Sequence, residues 1–264
     1  MNKLLISALL SSIVHCSCTH YYYVANVQNI PMLQEKKDLY VSGFMGVGDG
    51  SQSIELQTAY AAGEKIGVMA DFMTAWRGKV SNNDYKRGTY FDGAIGYFKP
   101  LSETLVFEIY GGAGISSQRH EYEPDDYWTG VVSQYEGSSE LSSVKFFIQP
   151  SLGFKMQPLF KLTKPGFPFE FALSARTCRL SYTRLINNST FEDLDHINEK
   201  KHYFIEPALT MRMGGENIKM QFQFSFSAYL GNPSLYFYEE VHLSGGVVFN
   251  IPPKKNINTD SNPK

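Results

Sequence analysis

The residues Glu239 to Ser244 come closest to a catalytic pattern in this chain. His242 and Ser244 are two positions apart, so in a β-strand their side chains lie on one face, where the imidazole could activate the hydroxyl as a nucleophile. A match of two residues needs structural context before it identifies an enzyme. We therefore predict no catalysis and keep a hydrolase that uses His242 and Ser244 as an alternative.

Two other groups of side chains could bind a metal ion. The segment His120–Asp126 is rich in carboxylates, which are the ligands that Ca²⁺ takes, but it lacks the spacing of an EF-hand. His15 and His20 flank Cys16 and Cys18, and processing of the N-terminus would separate them. No glycine-rich phosphate loop follows a strand and opens a helix. The sequence thus predicts no metal site and no cofactor.

The N-terminus has the pattern of an export signal. Met1-Asn2-Lys3 supplies a positive charge, and Leu4–Val14 is an uninterrupted run of aliphatic and small residues. This run is too short for a membrane-spanning helix but suits the core of a signal peptide. We assign residues 1–18 to the signal peptide and expect the mature protein to reach a compartment outside the cytoplasm.

Cys18 and Cys16 follow the apolar run at the place where lipoprotein signals carry their modified cysteine. Cys18 has the small residue Ser17 before it, whereas Cys16 has His15 before it and Ile13 three positions back. We predict lipidation at Cys18 or Cys16, with Cys18 favoured, and an ordinary cleaved signal remains the alternative. Cys178 is the one other cysteine, so the body of the protein has no disulfide framework.

Composition limits the classes of partner. The chain of 264 residues has 24 basic and 26 acidic residues, a balance that argues against a nucleic-acid partner. It is rich in the strand formers Phe and Tyr, with 19 and 17 residues. After the signal, no apolar run is long enough for a membrane-spanning helix. Any membrane-spanning structure must then be a closed barrel, which satisfies every backbone group in lipid.

Apolar and polar residues alternate along most of the chain, most clearly in Met220–Leu230. Such alternation predicts β-strands with one apolar face. Pro150 and Pro207 interrupt two of these segments, so we expect bulges or different strand ends there. The fold class predicted for residues 38–250 is all-β, an antiparallel up-and-down transmembrane β-barrel of about 10 strands (8–12). The ten predicted strands are Leu39–Val47, Ile54–Ala62, Ile66–Trp76, Tyr90–Tyr97, Leu105–Ala113, Val144–Met156, Phe169–Thr177, Tyr203–Met213, Met220–Leu230 and Val241–Phe249.

Charged residues avoid the apolar faces of these strands. We assign the apolar faces to lipid and the opposite faces, which are rich in Gly, Ala and Ser, to a narrow lumen. Acids and bases should pair there, because a buried charge without a partner is costly, and little open pore should remain. A soluble barrel with its apolar faces inward is the structural alternative. The predicted lumen charge network consists of Glu55, Asp71, Asp92, Glu108, Lys145, Glu170, Arg176, Glu206 and Arg212.

The connections indicate the orientation of the barrel. Outer-membrane barrels have short periplasmic turns and longer outer loops, and the predicted connections mostly alternate in this way. Both termini should then be periplasmic. Residues 19–37 have no periodicity, and we interpret them as an N-terminal tether or a segment packed against the periplasmic end. Residues 251–264 form a polar tail.

The segments Cys18–Tyr23, Asn29–Pro31 and Tyr97–Pro100, together with glycine-rich alternating strands, resemble uncharacterised outer-membrane barrel proteins and lipoproteins of Bacteroidetes-type bacteria. The end of the last strand, Gly246–Phe249, is similar to their barrel-assembly signal, although a polar tail follows it here. The resemblance implies a bacterial outer-membrane location, with outer-membrane lipid and the barrel-assembly machinery as partners. It assigns no activity and no surface ligand.

The expected function is therefore that of an outer-membrane barrel with a structural, surface-interaction or narrow-channel role. The alternatives are a hydrolase similar to lipid A deacylases, which use a His-x-Ser pair, and a soluble periplasmic β-barrel lipoprotein.

Overall fold

The computed structural model describes residues 21–49, 51–77, 85–122, 137–156, 169–189, 194–198, 200–232 and 236–253. Antiparallel β-strands make up nearly all of its regular structure. They are β1 (Leu39–Gly48), β2 (Gln52–Ala61), β3 (Ile66–Arg77), β4 (Tyr85–Pro100), β5 (Leu105–Tyr122), β6 (Gly137–Met156), β7 (Phe169–Asn187), β8 (His202–Gly214), β9 (Ile218–Phe226), β10 (Ala228–Tyr229) and β11 (Val241–Ile251), with one short helix, α1 (Asp195–Asn198).

The strands form one closed barrel. Each of the strands β1 to β9 pairs with its sequence neighbour. β11 pairs with both β1 and β9, and this pairing closes the sheet into a barrel. The two-residue strand β10 continues the line of β9 along β8. The predicted ten-stranded antiparallel barrel is therefore confirmed. Among the described residues, no helix is long and apolar enough to cross a membrane.

The barrel has two different ends. The β1–β2, β3–β4, β5–β6, β7–β8 and β10–β11 connections lie at one end, called the loop end here. The β2–β3, β4–β5, β6–β7 and β8–β9 connections, the start of β1 and the end of β11 lie at the opposite end, called the turn end. Strands β4 to β7 have 16 to 20 residues, whereas 9 to 11 are enough to cross a bilayer. The wall of β4–β7 consequently extends further than that of β1, β2 and β9.

The two faces of the strands are separated as the alternation predicts. Outward side chains are large and apolar, with Met45 70% exposed, Ile95 61% and Phe146 55%. Inward side chains are buried, and they include every acid and base of the predicted lumen charge network. The partition between an apolar exterior and a polar lumen is thus confirmed.

The prediction of bulges at Pro150 and Pro207 is wrong. The register of β6 with β7 is the same on both sides of Pro150, and that of β8 with β9 and β10 is the same on both sides of Pro207. Each proline lacks an N–H and interrupts one ladder, while the pairing on its other side, to Ile109 or Ala175, continues. The register shift in β6 lies instead between Ser142 and Ser143.

The segment Tyr21–Leu33, called the luminal segment here, runs inside the barrel. Residues 22–33 are buried throughout. Tyr21 lies at the loop end, where its ring lies 5.7 Å from the guanidinium of Arg77, and Leu33 lies near the turn end beside Glu108. The prediction of a tether, or of packing against the periplasmic end, is therefore wrong. The segment has no periodicity because the barrel wall surrounds it, so alternate side chains do not divide between water and a core.

Candidate functional site: the lumen and the luminal segment

Acidic side chains of the barrel accept hydrogen bonds from backbone N–H groups of the luminal segment. The N–H of Val27 donates to both carboxylate oxygens of Glu55, at 3.1 and 3.0 Å. The N–H groups of Met32 and Leu33 donate to the two oxygens of Glu108, both at 3.1 Å. These contacts recognise the backbone of an extended peptide and do not depend on its side chains.

Basic side chains of the barrel donate to the carbonyl oxygens of the same segment. Arg176 Nη2 donates to Asn26 O at 3.0 Å, and Arg212 Nη2 donates to Ile30 O. Gln223 makes both kinds of contact, because its Oε1 accepts from the N–H of Gln28 at 2.7 Å and its Nε2 donates to the carbonyl of Gln28 at 2.9 Å. Tyr23 forms a β-bridge with Tyr238. From Asn26 onward, side chains of the barrel supply these partners to the buried backbone instead.

Polar side chains of the segment add further contacts. Asn29 Nδ2 donates to Asp71 Oδ1 at 2.6 Å, and Asn26 Oδ1 accepts from Lys145 Nζ at 2.9 Å. Gln28 Oε1 accepts from Ser174 Oγ at 2.7 Å. These three positions give the segment a defined register in the lumen.

The nine residues of the predicted lumen charge network are all buried, but they form two groups of contacts. Asp92, Glu170 and Glu206 lie beside bases, whereas Glu55, Asp71 and Glu108 contact the luminal segment. Glu206 belongs to both groups, because its Oε1 also accepts from the hydroxyl of Tyr23 at 2.6 Å. The ion pairs are Lys145–Asp92 at 2.7 Å, Arg176–Glu206 at 2.5 Å and, at 4.0 Å, Arg176–Asp92 and Arg212–Glu170. The network therefore includes the N-terminal segment, which the sequence pattern assigned to no strand.

Sequence reasoning missed three buried charges. Lys219 Nζ pairs with Glu170 Oε1 at 2.6 Å; it lies one residue before the predicted start of β9 and has the inward parity of that strand. Lys86 donates to the carbonyl of Tyr21, and Glu239 contacts His242. Extending the predicted strands by parity would have found Lys219, whereas Glu239 lies outside any strand.

His242 bonds to a serine other than the one predicted. Its Nδ1 lies 2.6 Å from Glu239 Oε1, and its Nε2 lies 3.4 Å from Ser53 Oγ. Ser244 Oγ has no hydrogen-bond partner among the described residues. Gly46 makes room for the contact, because a Cβ there would overlap both His242 Nε2 and Ser53 Oγ. The arrangement is a Glu–His–Ser chain, and it is buried at the wall of a filled lumen.

Aromatic side chains surround the luminal segment at the loop end. The rings of Tyr23 and Phe204 stack with centroids 4.5 Å apart, and those of His202 and Tyr236 lie 4.3 Å apart. Tyr182 donates to the carbonyl of Tyr22 at 2.9 Å and shares a hydrogen bond with Tyr236. Burial raises the pKa of Tyr236 well above its ordinary value, so its hydroxyl stays neutral and bonded. The cluster packs around Tyr22 and Tyr23 in the loop-end part of the lumen.

The remaining predicted sites fall partly or wholly outside the described residues. Cys16 and Cys18 do so, as do Glu123–Asp126 of the acidic segment. Of that segment, His120 is buried and stacks on Tyr22, and Glu121 pairs with Arg119 at 2.5 Å. In the part of the chain that the structure describes, no group of three or more His, Cys, Asp or Glu residues could hold a metal ion.

Comparison with known proteins gives no match to a family model and no match to a curated protein sequence. Solved structures with a similar arrangement include the KdgM porin (10% identity, TM-score 0.36), with 81% of this chain and 99% of the porin covered. The outer-membrane protease OmpT from Escherichia coli is 10% identical with a TM-score of 0.40, and the alignment covers 86% of this chain and 99% of OmpT. The translocator domain of the autotransporter NalP from Neisseria meningitidis is 9% identical with a TM-score of 0.38, and the alignment covers 95% of this chain and 94% of that domain. At these scores, the fold is assigned from the strand pairing of this chain itself.

Proposed function

We propose that this chain is a bacterial outer-membrane β-barrel whose lumen is closed by its own N-terminal segment. Its role is structural or surface-interacting, and it does not conduct solutes in the folded state. The observation that carries the proposal is the luminal segment, which is hydrogen-bonded along its length inside a barrel with an apolar exterior.

The apolar exterior supports the membrane location. Large apolar side chains, such as Phe72, Phe222 and Phe224, are 42 to 45% exposed around the barrel. Water would be a poor solvent for such a continuous apolar surface, which exceeds the patches of ordinary soluble monomers. The pattern is that of transmembrane barrels, with apolar residues facing lipid and polar residues facing inward. A soluble periplasmic lipoprotein would need the opposite arrangement.

The filled lumen supports a closed barrel. Ten-stranded barrels are narrow, and here the luminal segment occupies the interior together with large buried side chains such as Arg176, Arg212 and Tyr110. The charges that could line an ion pathway are engaged with one another or with the segment. Solute flow would require the segment to leave, at the cost of its hydrogen bonds.

Conductance in planar bilayers tests this proposal. The purified wild-type barrel should give no steady single-channel steps, whereas a variant in which Tyr21–Leu33 is replaced by a Gly/Ser linker of equal length should show open events. Heat-modifiable gel mobility serves as the control that both barrels are folded. Steady steps from the wild type at ordinary voltages would overturn the closed-barrel proposal and favour a narrow channel.

A hydrolase is the second candidate, favoured by the Glu239–His242–Ser53 hydrogen-bond chain. Ser53 takes the place of the predicted Ser244 in this hypothesis, with His242 as the base and Glu239 orienting it. Mass spectra of lipid A from cells that carry wild type, Ser53→Ala or Ser244→Ala should be identical under the leading proposal. A lipid A species lost with Ser53→Ala and kept with Ser244→Ala would favour the hydrolase instead.

A further inference from the structure

The luminal segment passes through the barrel in one direction, from the loop end to the turn end. At the loop end, the N–H of Tyr22 donates to Phe237 O at 2.8 Å, and the carbonyl of Tyr23 accepts from the N–H of Glu239 at 3.0 Å. Near the turn end, Leu33 contacts Glu108, three residues after the start of β5, and Asp38 accepts from the N–H of Gln34. The chain then enters β1 at Leu39 and returns toward the loop end.

The length of the segment matches one crossing of a membrane. An extended chain rises about 3.3 Å per residue, so Tyr21–Leu33 spans up to roughly 40 Å, whereas the hydrocarbon core of a bilayer is about 30 Å thick. The two described ends of the chain therefore lie on opposite sides of the barrel. Tyr21 is at the loop end, and Ile251 pairs with Leu39 at the turn end.

The position of Tyr21 is fixed by contacts on several elements. Its carbonyl accepts from Lys86 at the start of β4, and its ring lies 5.7 Å from the guanidinium of Arg77 and 5.9 Å from Lys86 Nζ. Its neighbour Tyr22 is held by Gln118, whose side chain donates to the Tyr22 carbonyl at 2.8 Å. These groups all belong to the loop-end halves of β3, β4 and β5. The segment cannot turn back at this point without losing them.

From this geometry we infer that the chain enters the barrel at the loop end, so that the N-terminal side of Tyr21 faces the exterior of the cell. The inference rests on the proposed function for the identity of the membrane, and it replaces the expectation that the N-terminus is periplasmic. Cys18 is three residues before Tyr21, and three residues reach about 10 Å at most. If Cys18 carries the predicted lipid, the length of chain between it and Tyr21 limits the anchor to this distance from the loop end.

Three epitope insertions in the full-length chain test the inference. The first lies between Thr19 and His20, the second between Trp128 and Thr129 in the β5–β6 connection, and the third between Glu216 and Asn217 at the turn end. Intact cells are stained with antibody, then stained again after permeabilisation. The first and second epitopes should stain in intact cells, and the third only after permeabilisation. Heat-modifiable mobility shows that each tagged barrel is folded.

The outcomes separate the inference from the proposed function. If the first epitope behaves like the turn-end epitope, the inference is overturned, while an exposed β5–β6 epitope still supports the predicted orientation, in which the longer loops face outward. If the first and the β5–β6 epitopes both stain in intact cells, the inference stands. If the loop and turn epitopes exchange their accessibility, the proposed orientation is wrong. Should an epitope hinder passage through the lumen, Thr19→Cys, labelled with a membrane-impermeant maleimide, gives the same readout with a smaller change.

Discussion

The two sides of the lumen treat the same segment differently. The acidic side, formed by β2 to β5, carries Glu55, Asp71, Asp92 and Glu108, and the basic side, formed by β6 to β9, carries Lys145, Arg176, Arg212 and Lys219 with Glu170 and Glu206. Glu55 and Glu108 of the acidic side accept from backbone N–H groups, whereas Arg176 and Arg212 of the basic side donate to backbone carbonyls.

This difference shows how a narrow barrel can keep acids that form no ion pair with a lysine or arginine among the described residues; Glu55 has only His242 Nε2, at 3.9 Å. Glu55, Asp71 and Glu108 accept hydrogen bonds from the luminal segment, and Asp92, Glu170 and Glu206 form ion pairs with bases on the wall. Glu206 accepts from Tyr23 of the segment in addition. Removing a wall base should therefore affect the second group of acids, and changing the segment should affect the first.

Loss of Arg176 should have the largest effect. Arg176→Met removes the partner of Glu206, one of the cations near Asp92 and the donor to Asn26 O. Because it leaves buried charges uncompensated, we expect it to lower the free energy of unfolding by about 3–5 kcal/mol. Urea unfolding of the barrel in lipid measures this. Arg184→Met removes an exposed arginine that pairs with Glu140 at 3.6 Å, and it should cost less than about 1 kcal/mol. Equal losses of unfolding free energy in the two variants would contradict the assignment of Arg176 to a buried charge network.

Asp92 and Asp71 form a matched pair, since they lie directly opposite each other on β4 and β3. Asp92→Asn weakens the contact with Lys145 and should cost about 1.5–3 kcal/mol, the range for hydrogen bonds to charged groups. Asp71→Asn keeps an acceptor for Asn29 and removes a like charge opposite Asp92, so it should be neutral or stabilising. The same unfolding assay compares the two, and a larger cost at Asp71 would contradict the assignment.

A backbone change in the segment should act through Glu55. Val27→Pro removes the N–H that donates to both Glu55 oxygens, and an unsatisfied buried acceptor costs about 1–3 kcal/mol. Val27→Ala keeps the N–H and is the control for the side chain. In a Glu55→Ala background, the difference in unfolding free energy between Val27→Pro and Val27→Ala should become smaller, and a double-mutant cycle measures this change. An unchanged difference would mean that the proline acts by strain alone.

The exterior should be the most tolerant region. Phe224→Leu, on an outward face that is 45% exposed, keeps an apolar side chain toward lipid. Its effect on unfolding should stay within about 0.5 kcal/mol, as for surface substitutions without special contacts. Phe204→Leu, in the buried aromatic cluster, changes the shape of a packed site and should cost about 1 kcal/mol. Equal effects would argue against the assignment of inside and outside.

The sequence by itself determined the barrel, the position of its strands and the direction in which the side chains within the predicted strands point. Alternation is local: a strand such as β9 sorts Phe222 and Phe224 from Gln221 and Gln223 whatever its neighbours are. The absence of charges from the apolar faces then distinguishes outside from inside. Predicted strands were too short where alternation weakens near the loop end, as in β6 and β7, and for that reason Cys178 and Tyr182 were not recognised as luminal.

The tertiary structure alone decided which luminal groups meet. Partners such as His242 and Ser53 are brought together by the register of β11, β1 and β2, with Gly46 between them, and this register depends on closure of the whole sheet. The luminal segment gave no periodic signal, because its surroundings are the same wall on every side. Its place in the lumen follows from hydrogen bonds between its backbone and distant strands, and these form only once the barrel has closed around it.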